Sequence, residues 1–331
     1  MTKTKTIRLS SGYEMPIVGY GLWKVPNDKC ADSVYHAIKL GYRHFDGAYD
    51  YQNSSEAGAG IRKAIQDGLV KREEIFVTSK LWNNYHRRDR AIEMAKAEND
   101  AWGLGYLDLY LIHFPLAQKY IPPSELSHPG FWTDSAQKNV APLDRVPVAE
   151  TWAALETLAR TKDNPSGIFR SLGVANFNAM LLYDLLAGYE KVRPAMLQVE
   201  HHPYLAQPDL VKMAHENNVA VTAYSSFGPQ SFIELGSQAA KEATSLLEHS
   251  VVKKIADKHG KTPAQVLLRW STQRDVIVIP KSNNPDRLAQ NLDCSSFDLT
   301  KGDLEAISGL DRGLRFNDPG TSLDPPIRVF A

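Results

Sequence analysis

Four side chains that could move a proton stand at or near the ends of apolar runs. Arg43-His44-Phe45 leads into Asp46, Ile75 to Ser79 leads into Lys80, and Leu109 to Ile112 leads into His113. Tyr51 lies in the turn after Asp46, beyond Gly47, Ala48, Tyr49 and Asp50. A carboxylate is rarely buried unless it is paired, so Asp46 needs a cation, and Lys80 is the best candidate. A tyrosine ordinarily ionises near about pH 10. A neighbouring ammonium favours the phenolate, so Lys80 should lower that value, and Asp46 should keep Lys80 charged. His113 adds a hydrogen-bonding group for orienting a substrate oxygen. The set suits proton donation to a carbonyl oxygen, or removal of a proton from an alcohol. Taken singly, each residue reads as a surface ion pair, a packed phenol or a satisfied core histidine. Four of them gathered around successive strand ends are harder to explain in that way.

The elements that must position them alternate along the chain. Strand patterns fall at 17–21, 43–46, 75–80, 107–112, 169–174, 196–199, 219–223 and 276–279. Helical patterns fall at 28–40, 56–67, 88–102, 148–160, 179–186, 209–217, 248–258, 263–273, 285–292 and 301–309. Asn27 or Asp28 is expected to cap the first helix and Ser55 the second, with Gly68 stopping the second. A small hairpin over 7–9 and 13–15, turning at Gly12, precedes them. Strands alternating with helices imply a parallel sheet. Polar groups at the ends of many strands (Asp46, Lys80, His113, Asn176, Gln198, Tyr224 and Lys281) favour a closed (β/α)8 TIM barrel over an open sheet. Long irregular loops at 114–147, rich in proline, and at 225–244 are expected at the functional face.

Composition limits the partners. The 331 residues carry no compositional break, so a single domain over 1–331 is expected. With 38 basic and 38 acidic residues and no basic run, neither nucleic acid nor anionic membrane is expected as a partner. The first residues lack an apolar signal region, and no stretch is long enough to span a bilayer. Cys30 and Cys294 read as free thiols of a cytoplasmic protein. His201-His202 is too small a set for a metal site, and none is expected.

Gly41-Tyr-Arg-His-Phe-Asp-Gly-Ala followed by Tyr51, Lys80-Leu-Trp82 and Leu111-Ile-His-Phe-Pro115 resemble the aldo-keto reductase superfamily. Phe114, the run Tyr224 to Phe232, Ile279-Pro-Lys-Ser-Asn283 and Leu314-Arg-Phe-Asn-Asp318 narrow the likeness to its xylose (aldose) reductases. The likeness covers almost the whole chain. It implies hydride transfer from NADPH, preferred, or NADH to an open-chain aldose such as D-xylose or L-arabinose. Tyr51 would be the general acid, tuned by Lys80 and Asp46, with His113 orienting the carbonyl. Asn176 and Gln198 would hold the nicotinamide amide, and Tyr224 would stack on its ring. Ser225, Phe227 and Glu234 would lie in a strap over the pyrophosphate. Lys281, Ser282, Asn283, Arg287 and Asn291 would hold the adenosine end, where two cations beside a hydroxyl at a helix start also suit a 2′-phosphate on physical grounds. Trp23, Asp50 and Asn317 would meet the sugar, with Trp82 and Phe114 as walls. Ala175 stands where the family usually has Ser, so one amide hydrogen bond is missing or made by water. The run at 161–167 lengthens a turn before the fifth strand that is normally short in the family. Relatives occur as monomers or homodimers. Competing readings are a reductase of other small aldehydes, a barrel that binds cofactor without turnover, and a metal-dependent hydrolase.

Overall fold

The computed structural model describes residues 5–330, so positions 1–4 and 331, at the two ends of the expected domain, lie outside it. A short antiparallel hairpin comes first, with β1 (Thr6–Arg8) paired to β2 (Glu14–Pro16). Gly12 turns it with φ 90°, a region that glycine enters without a Cβ clash. The chain then lays down β3 (Tyr20–Gly21), β4 (His44–Asp46), β5 (Phe76–Leu81), β6 (Leu109–Ile112), β7 (Leu172–Ala175), β8 (Met196–Glu200), β9 (Ala220–Tyr224) and β10 (Val276–Val278). These eight pair in parallel and in chain order. The sheet closes on itself through a bridge between Val18 and Val278. Gly19 N donates to Val278 O at 2.8 Å, and Val278 N donates to Ile17 O at 2.9 Å. The result is the expected barrel. Every residue of β4 to β8 is buried, as strands covered on both faces must be.

Helices alternate with the strands and continue beyond the last of them. They are α1 (Asn27–Leu40), α2 (Ser54–Gln66), α3 (Arg88–Trp102), α4 (Val148–Glu156), α5 (Ala179–Gly188), α6 (Pro208–Glu216), α7 (Gln230–Ile233), α8 (Gln238–Glu242), α9 (Ser250–His259), α10 (Pro263–Thr272), α11 (Pro285–Leu292), α12 (Lys301–Ser308) and α13 (Pro319–Ser322). In α3, Ala91, Met94, Ala95, Glu98 and Trp102 recur at helical spacing and form its buried face. Two expected caps are corrected. Asn27 does not cap α1; its amide donates to Gln52 O at 2.7 Å, and Pro26 occupies the cap position. Ser55 does not cap α2, because the helix starts earlier, after Asn53. The Asn53 amide instead ties down Leu22 O and Val25 O at the mouth of β3.

The loop over 114–147 is not shapeless. Gln118 is buried within it and its amide donates to Phe131 O and Ala141 O, which folds the loop back across the barrel mouth. The loop over 225–244 contains α7 and α8. The extension at 161–167 is a turn held by Asn164, whose amide donates to Thr157 O and Ala159 O. A β-carbon at Gly167 would lie 2.4 Å from the Ala159 carbonyl. The turn precedes β7, so it sits at the end of the barrel away from the strand C-termini. Among the described residues, no helix is long and apolar enough to cross a membrane.

Candidate active site

Register along the sheet brings the strand ends to one level. Gly21 pairs with Asp46, Asp46 with Thr78, and Lys80 with Leu111. Beyond β4 the chain passes Gly47, where a β-carbon would lie 2.5 Å from the Trp102 ring. It then makes a single 3-10 turn, Tyr49–Tyr51, that carries Tyr51 back over the barrel axis. Lys80 is fully buried beneath it. The Lys80 ammonium donates to Asp46 Oδ1 at 2.6 Å, Gly47 O at 2.8 Å and Tyr51 Oη at 3.2 Å. An ammonium has three protons, and all three are placed. The Tyr51 oxygen therefore accepts from Lys80, and its own proton is free to point elsewhere. The second Asp46 oxygen accepts from Gln198 Nε2 at 2.7 Å.

The electrostatics correct one expectation. Tyr51 is not made acidic: burial, reinforced by the Asp46 and Asp50 carboxylates, holds its proton well above the usual phenol range. One ammonium, already matched by Asp46, does not offset exclusion of water from the phenolate. The Lys80 ammonium is itself pushed down by burial, with Asp46 opposing. Burial, together with the Lys80 charge, holds His113 well below its usual value, so its imidazole is neutral at pH 7.

Asp46, Tyr51 and His113 line the floor of a cavity of about 670 Å³, with Lys80 buried beneath them. Trp23, Asp50, Trp82, Phe114 and Asn317 stand around it beside Tyr51 and His113. Asn176, Gln198 and Tyr224 form one wall, and Ser225, Phe227 and Glu234 lead away along the strap. Lys281, Ser282, Asn283 and Arg287 line the far end, where α11 begins. Asn176 lies in the left-handed region at φ 63°. Its side chain donates to His113 O at 2.8 Å and accepts from Tyr224 Oη at 2.6 Å. Tyr224 Oη in turn accepts from Asn317 Nδ2 at 2.9 Å. Asn291 is placed differently from the rest of the expected set. It is buried on α11, one turn past Arg287, and does not line the cavity.

The donor set fits a dinucleotide. Among the described residues, Lys281 and Arg287 have no acidic partner within salt-bridge distance, and both face the cavity beside the α11 N-terminus, which Asn284 caps through Arg287 N at 3.0 Å. Two unmatched cations at a helix start suit a phosphate. Tyr224 offers a ring face at the other end.

Sequence reasoning missed several lining residues. Lys24 donates to Ser231 O at 2.7 Å and to Glu234 at 3.0 Å, joining the β3 loop to the strap. Its φ of 62° has no sequence signature. Phe131 packs on Trp82 and Phe114, and Gly130 O accepts from the Trp82 indole at 2.7 Å. It lies within the long loop, where no periodicity marks it.

Asp50, in the cavity wall, makes a pH-dependent prediction. Burial pushes its carboxyl up to about 7, against 3.8 ordinarily. The folded chain thus binds this proton more tightly than the unfolded chain. The stability lost to its ionisation grows from about pH 4 to about pH 7 and is constant above. Asp50→Asn should raise the thermal midpoint at about pH 8, with the gain vanishing near about pH 4. Melting curves across pH check this; a gain that does not depend on pH defeats it.

Comparison with known proteins agrees with this architecture. The chain is 61% identical over 330 residues, spanning the whole of both chains, to a protein of Pyricularia oryzae named NAD(P)H-dependent pentose reductase. It is 54% identical to one of Aspergillus niger named NAD(P)H-dependent D-xylose reductase xyl1, covering 97% of this chain and 98% of that one. A protein of Emericella nidulans named as a probable NAD(P)H-dependent D-xylose reductase is also 54% identical, over 98% of this chain and 99% of that one. The model of the Aldo/keto reductase family matches residues 17–312, taking in every barrel strand, and the chain belongs to that family.

Proposed function

We propose that this chain reduces open-chain aldoses, pentoses such as D-xylose and L-arabinose foremost, to alditols with NADPH or NADH. The observation that carries the reading is the arrangement of Lys80: its three protons go to Asp46, Gly47 O and Tyr51, which leaves the Tyr51 proton free for an acceptor in the cavity that Tyr51 lines. When bound, a reduced nicotinamide supplies hydride to the carbonyl carbon. Tyr51 gives its proton to the carbonyl oxygen, and Lys80 supports the developing phenolate. Hydride and proton together turn the aldehyde into a primary alcohol. A phenol that keeps its proton well above neutral pH is present in the donor form before reaction. Neutral His113 can donate one hydrogen bond to the same oxygen without competing as an acid. Gln198 and Asn176 would hold the nicotinamide amide, Tyr224 would stack on the ring, and the strap through Ser225, Phe227 and Glu234 would cover the pyrophosphate.

Trp82, Phe114 and Phe131 keep water from the carbonyl. Asp50 and Asn317 meet sugar hydroxyls, which an apolar aldehyde could not pair with. The two buried free thiols, Cys30 and Cys294, accord with a cytoplasmic protein. We read the chain as one barrel domain, working as monomer or homodimer.

Steady-state kinetics with xylose, arabinose, galactose and glyceraldehyde, each with both cofactors, test the reading. The pentoses should give the highest kcat/KM; a preference for glyceraldehyde over every pentose would refute it. Arg287→Ala should raise KM for NADPH by about tenfold and leave that for NADH unchanged, through loss of a charge-assisted phosphate contact. Equal effects on the two cofactors would remove Arg287 from the phosphate site.

A further inference from the structure

We propose that Glu200 is a positioning residue that sets sugar specificity by clasping the C-terminal tail, so that Asn317 presents its amide to substrate hydroxyls. This rests on the reading of Asn317 as a sugar contact.

Glu200 is the last residue of β8 and is fully buried. Phe316 N donates to its carboxylate at 2.9 Å, Asn317 N at 2.8 Å, and His202 Nε2 stands 2.8 Å away. An ionised carboxylate only accepts, so this nitrogen of His202 carries the proton. A buried carboxylate is costly unless such donors surround it. Three N–H groups converge here, two of them from a tail segment with no regular structure of its own. The clasp holds the peptide rather than the side chain. That leaves the Asn317 amide free to turn inward, where it reaches Tyr224 Oη.

Other contacts fix the same segment. The Phe316 ring lies 5.4 Å from the His202 ring and 6.2 Å from Phe232 of the strap. Gln207 donates to Glu200 O at 2.6 Å and accepts from Arg315 at 3.1 Å. By contrast, Asp46, Lys80 and Tyr51 bond among themselves and, among the described residues, receive no hydrogen bond from Glu200 or the tail. The clasp therefore makes no direct bond to the proton-transferring groups and reaches the cofactor wall only through Asn317 and Tyr224, an effect that saturating cofactor removes from the comparison.

Glu200→Gln keeps the shape but offers one acceptor oxygen to three donors, and turns an NH2 group against an N–H. The test compares kcat/KM for xylose and for butanal, an aldehyde without hydroxyls, at saturating NADPH. The variant should lose about tenfold on xylose, mostly in KM, with butanal little changed. Asn317→Ala should give the same sugar-selective loss. The double variant should be no worse than Asn317→Ala alone, because both changes remove one contact. Equal losses on both aldehydes, or additive losses, would overturn the clasp. Should Glu200→Gln fail to fold, Arg315→Ala carries the test with a smaller rise in the xylose KM, about twofold, and none for butanal; no selective change there also overturns it. A parent enzyme inactive on aldoses would defeat the substrate reading and this inference together. An active parent with unselective variants would defeat this inference alone.

Discussion

Tyr51→Phe should lower kcat/KM for an aldose by about 10²–10⁴-fold, the usual contribution of a positioned acid, while cofactor affinity stays unchanged. The geometry explains why the loss should fall on the chemistry. Removing the hydroxyl takes away the proton that Lys80 leaves free and keeps the ring, the barrel and the Lys80–Asp46 pair in place. Lys80 keeps two of its three acceptors, so the change does not strand a buried charge. Titration of cofactor by fluorescence and single-turnover reduction separate the two effects. A variant that binds cofactor normally and still reduces xylose near the parent rate would take the acid role from Tyr51. Because burial holds the Tyr51 proton well above the usual phenol range, the parent's proton-donating limb should also extend to alkaline pH. An ammonium-acidified phenol would lose activity earlier.

That contrast marks where the sequence stops being legible. The strand-end residues could be read because β4, β5 and β6 are apolar runs that each meet a polar group, and a parallel barrel collects such ends at one face. Order and spacing alone place Asp46, Lys80 and His113 together. The sign of the Tyr51 shift could not be read. It depends on how completely water is excluded, and on Lys80 already being matched by Asp46 at 2.6 Å. The hairpin, α3 and α11 follow from turn residues, periodicity and proline at a helix start. The α1 cap did not, because the Asn27 side chain makes a long-range bond to Gln52 instead of a local one. Glu200 and Asn317 lie more than a hundred residues apart and share no pattern; only the folded tail joins them. Phe131 is likewise brought in by Gln118, a buried amide in a loop that looks merely polar.

The Lys80–Asp46 pair gives the largest effect on stability, and it can be separated from catalysis. Lys80→Met leaves the buried Asp46 carboxylate without its cation and, among the described residues, with only the Gln198 amide to face it. Breaking one side of a buried pair typically costs about 3–5 kcal/mol. Adding Asp46→Asn removes the stranded charge, and the carbonyl oxygen of the new side chain can still accept from Gln198. The double variant should therefore recover most of the lost stability in denaturant titrations. Its activity should not recover. The Tyr51 oxygen would have no cation beside it when its proton leaves, and a preorganised charge of this kind is worth about 10²–10³-fold in kcat. If the double variant regained both stability and turnover, Lys80 would be a structural lysine and the phenol would work unaided. If it regained stability alone, the cation's support of Tyr51 would be established separately from its part in holding the barrel together.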